Sequence, residues 1–330
     1  MKKLTKIGVS ALAGSLAAVA AQAGELSVSG AAILSYTSED VKNQDTGSGL
    51  GMKNNISFTG SGDVNGMEVT FFSTLNDASS GSSSSSLTID MGDNGSIVFD
   101  QGVGGNGAAA YDDKTPTAWE ESWDGMVASP DVAGGGSANV LSYRNTVAGF
   151  AINANYDQRV GDSDAGDGSF SGDGTGSGAS IAVGLPALVD GLDAGIAYGE
   201  ESTKNGTTTS DDVTYIGGFA NYTIGAVTVG YNAGEKSGGA AGADTTVNEG
   251  MGIVFNMNDN LSVSYSQFDR EHRKTSGNAD VTEESKGIAV AYTMGSATLV
   301  VQQNEQDNAD GSTAATADQE RTEINLSLAF

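Results

Sequence analysis

The chain has 330 residues, with 42 acidic against 15 basic side chains and a formal net charge of −27. A surface this acidic repels phosphate backbones, which excludes nucleic-acid binding through surface charge. The absence of cysteine and the single histidine exclude disulfide scaffolds, zinc–thiolate and Cys-nucleophile sites and His-rich metal centres.

The amino terminus reads Met1-Lys2-Lys3-Leu4-Thr5-Lys6, then an apolar stretch from Ile7 to Ala21 and the small-x-small sequence Ala21-Gln22-Ala23. A basic start, a short apolar centre and this ending describe a secretory signal peptide, residues 1–23, cleaved near Ala23. The stretch is too short and too rich in Ala and Gly to span a bilayer as a helix. The mature domain is expected at 24–330, with 42 acids against 12 bases and a net charge near −30.

From there to the carboxyl terminus the chain alternates apolar with small or polar residues, the period-2 signature of strands. The segments fall at about 25–37, 51–63, 66–76, 86–92, 95–101, 138–146, 148–158, 178–186, 190–200, 212–223, 225–234, 247–257, 260–269, 284–294, 296–304 and 320–330. That is sixteen strands, the even number that single-chain bacterial barrels require. Short turns with Asn, Asp or Gly alternate with long polar connections at 38–50, 77–85, 102–137, 159–177, 201–211, 235–246, 270–283 and 305–319. No apolar run reaches about 18 residues, so a membrane-spanning form must be a closed barrel.

The alternation also assigns faces. One face carries Phe150/Ile152/Tyr156, Met251/Ile253/Phe255, Ile288/Val290/Tyr292 and Ile324/Leu326/Leu328/Phe330; the other carries Asn153/Asn155, Ser262/Ser264 and Asn325/Ser327. The second face is too small and hydrophilic to pack a core, so the apolar face is expected towards lipid and the polar face towards a wet lumen. Tyr36, Phe99, Tyr143, Tyr156, Tyr198, Tyr222, Tyr231, Tyr265, Tyr292 and Phe330 sit near strand ends, as interfacial aromatic girdles do. The terminal strand ending in Phe330 resembles the signal by which outer-membrane barrels are recognised by their assembly machinery.

Together, Ala21-Gln22-Ala23, the opening strand Glu25-Leu26-Ser27-Val28-Ser29-Gly30, the sixteen-strand meander and Phe330 resemble the Gram-negative general-diffusion porins in their alphaproteobacterial form, over essentially the whole mature chain. The resemblance implies an all-β, sixteen-stranded antiparallel transmembrane barrel with short periplasmic turns and long external loops. It further implies a homotrimer with one water-filled pore per subunit and a third loop folded inward to narrow it. The expected partners are then the outer-membrane bilayer, lipopolysaccharide and small hydrophilic solutes and ions. Gly30 and Ala32, small and outward on the first strand, are candidates for the subunit interface.

The third long connection, 102–137, is also the longest. Within it Thr117, Glu120 and Gly125 fit a capping box and a helix stop, so a short helix is expected, with Trp119 and Trp123 pinning the loop to the wall. Asp112, Asp113, Glu120, Glu121 and Asp124 would line the constriction. Lys53, Arg144, Arg159 and Arg321 fall on the inward parity as opposing bases, as do the acids Glu68, Asp90, Asp100 and Glu323. Acids outnumber bases in this set, so a preference for cations is expected.

Three motifs carry less. Gly102-x-Gly104-x-x-Gly107 follows a strand but opens no βαβ unit. Asp162, Asp164 and Asp167 cluster oxygen ligands that could hold Ca²⁺ at the rim, without an EF-hand pattern. His272 has neither a nucleophile nor an orienting group readable beside it, and no enzyme is expected. A substrate-specific channel is the alternative reading; it calls for an inward aromatic slide, for which Phe72 is one candidate.

Overall fold

A computed structural model describes residues 24–41, 44–76, 82–112, 114–126, 138–157, 176–202, 204–205, 208–209, 212–239, 245–274 and 279–330. The signal segment, Asp113, Arg159, Asp162, Asp164 and Asp167 lie outside the described residues.

The strands in chain order are β1 Glu25–Val41, β2 Gln44–Val64, β3 Met67–Asn76, β4 Ser82–Asp90, β5 Ser96–Gln101, β6 Ala138–Val147, β7 Phe150–Asp157, β8 Gly178–Gly184 and β9 Leu192–Glu201. Then come β10 Lys204–Asn205, β11 Thr208–Thr209, β12 Val213–Ile224, β13 Val227–Gly238, β14 Thr245–Asn256, β15 Leu261–Arg273, β16 Val281–Met294, β17 Ala297–Asp307 and β18 Gln319–Ala329. Sixteen of these close into one antiparallel barrel, each bonded to its chain neighbour, while β10 and β11 pair only with each other. All sixteen expected strands are present.

The faces follow the alternation. Leu87 and Phe99, Ile181, Ile196 and Tyr198, Ile253 and Phe255, Ile288 and Tyr292, and Ile324 and Leu328 are all exposed on the outside. The ten girdle aromatics, from Tyr36 to Phe330, are exposed as well. Side chains on the opposite parity, such as Ser142, Asn155, Ser264, Asn304 and Asn325, face inward and are buried. Apolar residues outside and polar residues inside is the arrangement that lipid demands.

Turn chemistry sets the tight rim. Asn65 and Gly66 take φ of +56° and +83°, the left-handed pair that matches the twist of a two-residue hairpin. Ala148 and Gly149 repeat it at +51° and +85°. On the other rim the strands run further than the sequence pattern suggests. The β1–β2 ladder extends to Val41 and Gln44, so the expected loop 38–50 is mostly paired strand. Ladders β13–β14 and β15–β16 also extend into the expected loops 235–246 and 270–283. Beyond the lipid these strands have no apolar face, so backbone pairing continues where the hydropathy signal stops.

The ring closes where β18 meets β1. Gly30 N donates to Phe330 O at 2.8 Å and Phe330 N to Gly30 O at 2.9 Å. A Cβ on Gly30 would come within 2.7 Å of Cε2 of the Phe330 ring. The terminal aromatic thus caps the first strand of its own barrel, and Gly30 is covered by that ring rather than available as a subunit contact.

Val290 lies outward between Tyr292 and Ile288, whereas Thr70 faces the lumen. Val290→Arg is expected to lower stability in lipid vesicles by about 2 kcal/mol, and Thr70→Arg by under about 0.5 kcal/mol. Denaturant titration of the reconstituted protein checks this; equal losses would contradict the face assignment.

Candidate functional site

The segment after β5 turns into the barrel instead of out of it. Asp100, only 1% exposed, directs the turn. Its carboxylate accepts from Val103 N (2.7 Å), Gly104 N (3.1 Å) and Asn106 Nδ2 (2.7 Å). Asn106 Oδ1 in turn accepts from Ser142 Oγ at 2.7 Å and Arg144 Nη2 at 2.9 Å. Gly107 N and Ala108 N donate to Asn153 Oδ1 and Ser180 Oγ, at 3.0 and 2.8 Å. A 3₁₀ turn at Gly107–Tyr111 then packs Ala108 against Ala182 and Ala197. Tyr111 meets Phe219 edge-on, with ring centroids 4.8 Å apart, and Lys114 Nζ lies 5.6 and 5.8 Å from the two ring centres. Burial, reinforced by the charge of Asp193, holds the Tyr111 phenol above its ordinary pKa, so it stays neutral.

The second half is tied down through its backbone. Lys114 O accepts from Asn221 Nδ2 (2.8 Å) and Ala118 N donates to Ser264 Oγ (2.8 Å). Ser122 Oγ shares a hydrogen bond with Ser285 Oγ (2.9 Å). Gln302 Nε2 donates to Glu120 O and Glu121 O (3.2 and 3.0 Å), and Asn304 Nδ2 to Glu121 O (3.2 Å). Arg321 Nη1 donates to Gly125 O at 3.0 Å. Within the described part, the loop therefore runs over the inner wall from β6 to β18.

Glycines make the room. Gly230, Gly252, Ser266, Gly287, Asn304 and Arg321 are successive partners along one inward row of the ladder. A Cβ on Gly230 would lie 2.6 Å from Pro116 Cγ, on Gly252 2.8 Å from Thr115 Cγ2, and on Gly287 3.0 Å from Ser122 Cα. These contacts are far inside van der Waals range, so the loop occupies space that any larger residue would fill. Inward-parity glycines on consecutive strands are the signal, present in the sequence, that marks the loop's track.

The expected helix at 117–125 does not form. The segment is a series of bends and a turn, with Asp124 N bonded to Glu121 O (3.1 Å) and Met126 N to Trp123 O (3.0 Å). The Thr117 hydroxyl donates to Trp119 O at 3.1 Å instead of capping. The Glu120 and Glu121 carbonyls are turned to the wall, where they accept from Gln302 and Asn304, and Glu121 O takes an i→i+3 bond from Asp124 N in place of a helical i→i+4 one. Trp119 and Trp123 are both partly buried, and the Trp123 indole N–H is buried without a hydrogen-bond partner.

The other expected residues divide as follows. Glu120 is exposed on the loop, and Asp112 and Asp124 are partly buried. Glu121 is only 9% exposed. Asp100 is consumed by the loop's entry turn. Lys53, Glu68 and Asp90 are exposed on the inward parity of β2, β3 and β4. Arg144 and Arg321 do not stand across from the loop: each contacts its backbone, and Arg321 is also paired with Glu39 and with Glu323 (3.0 Å). The arc β1–β4, which the described part of the loop does not reach, carries inward Ser57, Thr59, Thr70, Phe72, Thr74, Ser86 and Thr88. Lys114, Asn106 and the glycine row were not singled out by the sequence reading. Among the described residues, no group of three or more His, Asp or Glu is placed to hold a metal ion.

A closed ladder with an apolar exterior, a hydrophilic lumen and a loop laid inside it defines a transmembrane β-barrel pore. The chain belongs to the Gram-negative porin family, whose model matches residues 8–312. Family and barrel together place it in the outer membrane as a porin channel. No curated protein sequence matches it. Among solved structures it resembles Salmonella typhi OmpF in complex with daunomycin, at 15% identity and TM-score 0.66, covering 93% of this chain and 98% of that one. An anion-selective porin from Comamonas acidovorans is similar at 15% identity and TM-score 0.66, over 93% and 100%. A trimeric form of Vibrio cholerae OmpT matches at 13% and 0.64, over 93% and 100%. At these identities the likeness is one of fold.

Gly252→Val is expected to push the loop from the wall, lowering stability by about 1–3 kcal/mol and altering single-channel conductance. Gly49→Ala, with nothing within 4 Å of its Cβ, should leave both unchanged; a wild-type conductance in Gly252→Val would contradict the packing described here.

Proposed function

We propose that the chain forms a water-filled channel through which small hydrophilic solutes and ions diffuse passively, with a preference for cations. The observation that carries the selectivity is an asymmetry of exposure. Carboxylates on the lumen side stay exposed at Glu120, Glu68 and Asp90, against the exposed inward base Lys53. The arginines Arg144 and Arg321 are drawn into contacts with the loop and, for Arg321, with Glu39 and Glu323. Charges lining a narrow aqueous passage bias the ions that enter it. Similarity to an anion-selective porin does not oppose this, because selectivity follows side chains and those differ at 15% identity.

General diffusion is favoured over a substrate-specific channel. The inward aromatics Tyr215, Phe219 and Phe268 are buried, and Phe72, partly exposed on the inward parity of β3, is a single ring rather than a row of stacking surfaces for a passing sugar. The proposal includes export with cleavage near Ala23, barrel assembly through the strand ending at Phe330, contact with lipopolysaccharide at the outer rim and a homotrimer.

In a planar bilayer with a tenfold KCl gradient, the reversal potential should take the sign for cations. Glu120→Gln with Asp124→Asn should lower the cation-to-anion permeability ratio by roughly twofold per carboxylate. An anion-favouring potential in the unmodified protein would overturn the proposed selectivity.

A further inference from the structure

Arg144 and Arg321 meet the same loop at opposite ends of its described course. Arg144, from β6, donates to Asn106 Oδ1 at 2.9 Å and Gly105 O at 3.4 Å, just after the loop enters. Arg321, from β18, donates to Gly125 O at 3.0 Å. Gly125 has φ of +70°, and a Cβ there would lie 2.7 Å from Arg321 Nε, so backbone and guanidinium are in direct contact. The guanidinium is itself held in place. Its Nη1 also bonds Glu39, and its Nε and Nη2 reach Glu323 Oε2 at 3.2 and 3.0 Å. Its side chain is 16% exposed and flanked by two carboxylates that offset its charge.

We infer that Arg144 and Arg321 are positioning residues that clamp the two ends of the inward loop's described course, with Glu39 and Glu323 orienting Arg321, and are not a free positive wall facing the loop's acids. A guanidinium suits this task because its planar fork can serve a carbonyl and two carboxylates at once, which an ammonium on a flexible stem cannot. The inference rests on the pore reading for its consequence, a constriction of fixed width, but the clamp itself is testable without any conductance.

The test uses Arg321→Lys and Arg144→Lys, which keep the charge and remove the fork. Because the chain has no cysteine, Asp124→Cys and, separately, Val103→Cys can each carry a single nitroxide in the refolded full-length protein. A clamp predicts that Arg321→Lys raises the mobile fraction of the label at 124, and Arg144→Lys that at 103. Loop-closure events in single-channel records should rise roughly tenfold, as loss of one charge-assisted hydrogen bond implies, with the reversal potential unchanged. Arg273→Lys at the outer rim should leave both labels as they are. If both Lys variants keep immobile labels and quiet channels, or if a variant moves only the reversal potential, the clamp is wrong. Heat-modifiable gel migration shows that each variant has folded. Should Arg321→Lys not fold, Arg321→Gln with Glu323→Gln, which removes opposite charges together, is read by the same labels and the same outcomes. Absence of conductance in the unmodified protein would sink the pore reading, while the label spectra still decide the clamp.

Discussion

Everything in this molecule depends on the ladder being closed. Within hydrocarbon an unpaired N–H or C=O costs several kcal/mol, so a sheet with free edges cannot persist there. The pairing of β1 with β18 removes the last two edges, and the Gly30–Phe330 exchange lies at that seam. Closure also fixes what each residue sees. With a period of two, a one-residue slip at the seam would turn Ile324, Leu326 and Leu328 into the lumen and bring Asn325 and Ser327 against lipid. Register and sidedness are thus one constraint.

A barrel with its apolar side chains outside has no hydrophobic core to keep it from being empty. Its interior is organised instead by hydrogen bonds, from Asn153, Ser180, Ser264, Gln302 and Asn304 to loop backbone and from Ser142 to the Asn106 side chain. Each bond adds about 1 kcal/mol net, but the set is distributed over many strands, so the loop cannot leave without breaking it all along its length. The small apolar patch formed by Ala108, Ala182 and Ala197 helps at one point only. The price is local: Asn221, Asn232 and Asn325 each keep a buried side-chain oxygen without a hydrogen-bond partner.

How far the sequence could be read follows from the same physics. Where lipid imposes alternation, all sixteen strands were visible, and the strand ends furthest from lipid were the ones misjudged, because β1, β13 and β15 stay paired after their apolar face has ended. The loop's inward path was expected from its length and from the family resemblance, and the glycines that admit it were in plain view as inward-parity residues. Its conformation was not legible. Thr117, Glu120 and Gly125 satisfy a local helix rule, yet the segment bonds through the Glu120 and Glu121 carbonyls to Gln302 and Asn304, about 180 residues away in sequence. Arg144 and Arg321 lie on the inner face, where strand parity puts them. Whether an inward arginine looks across the lumen or lies against the loop depends on where the loop sits, and nothing local to the arginine encodes it.

That distinction separates fold from permeation. The likeness to an anion-selective porin is one of fold at 15% identity, and a shared fold carries no information about which side chains line the pore, so architecture alone does not choose an ion. The choice rests on which charges remain unneutralised in the narrow part. An arginine that bonds a backbone carbonyl and two carboxylates adds little positive potential to the water beside it, although it counts fully in any tally of inward bases. Glu120 adds negative potential because its side chain is exposed, while its carbonyl accepts from Gln302. The same polypeptide segment can therefore be anchored through its backbone and display its charge through its side chains.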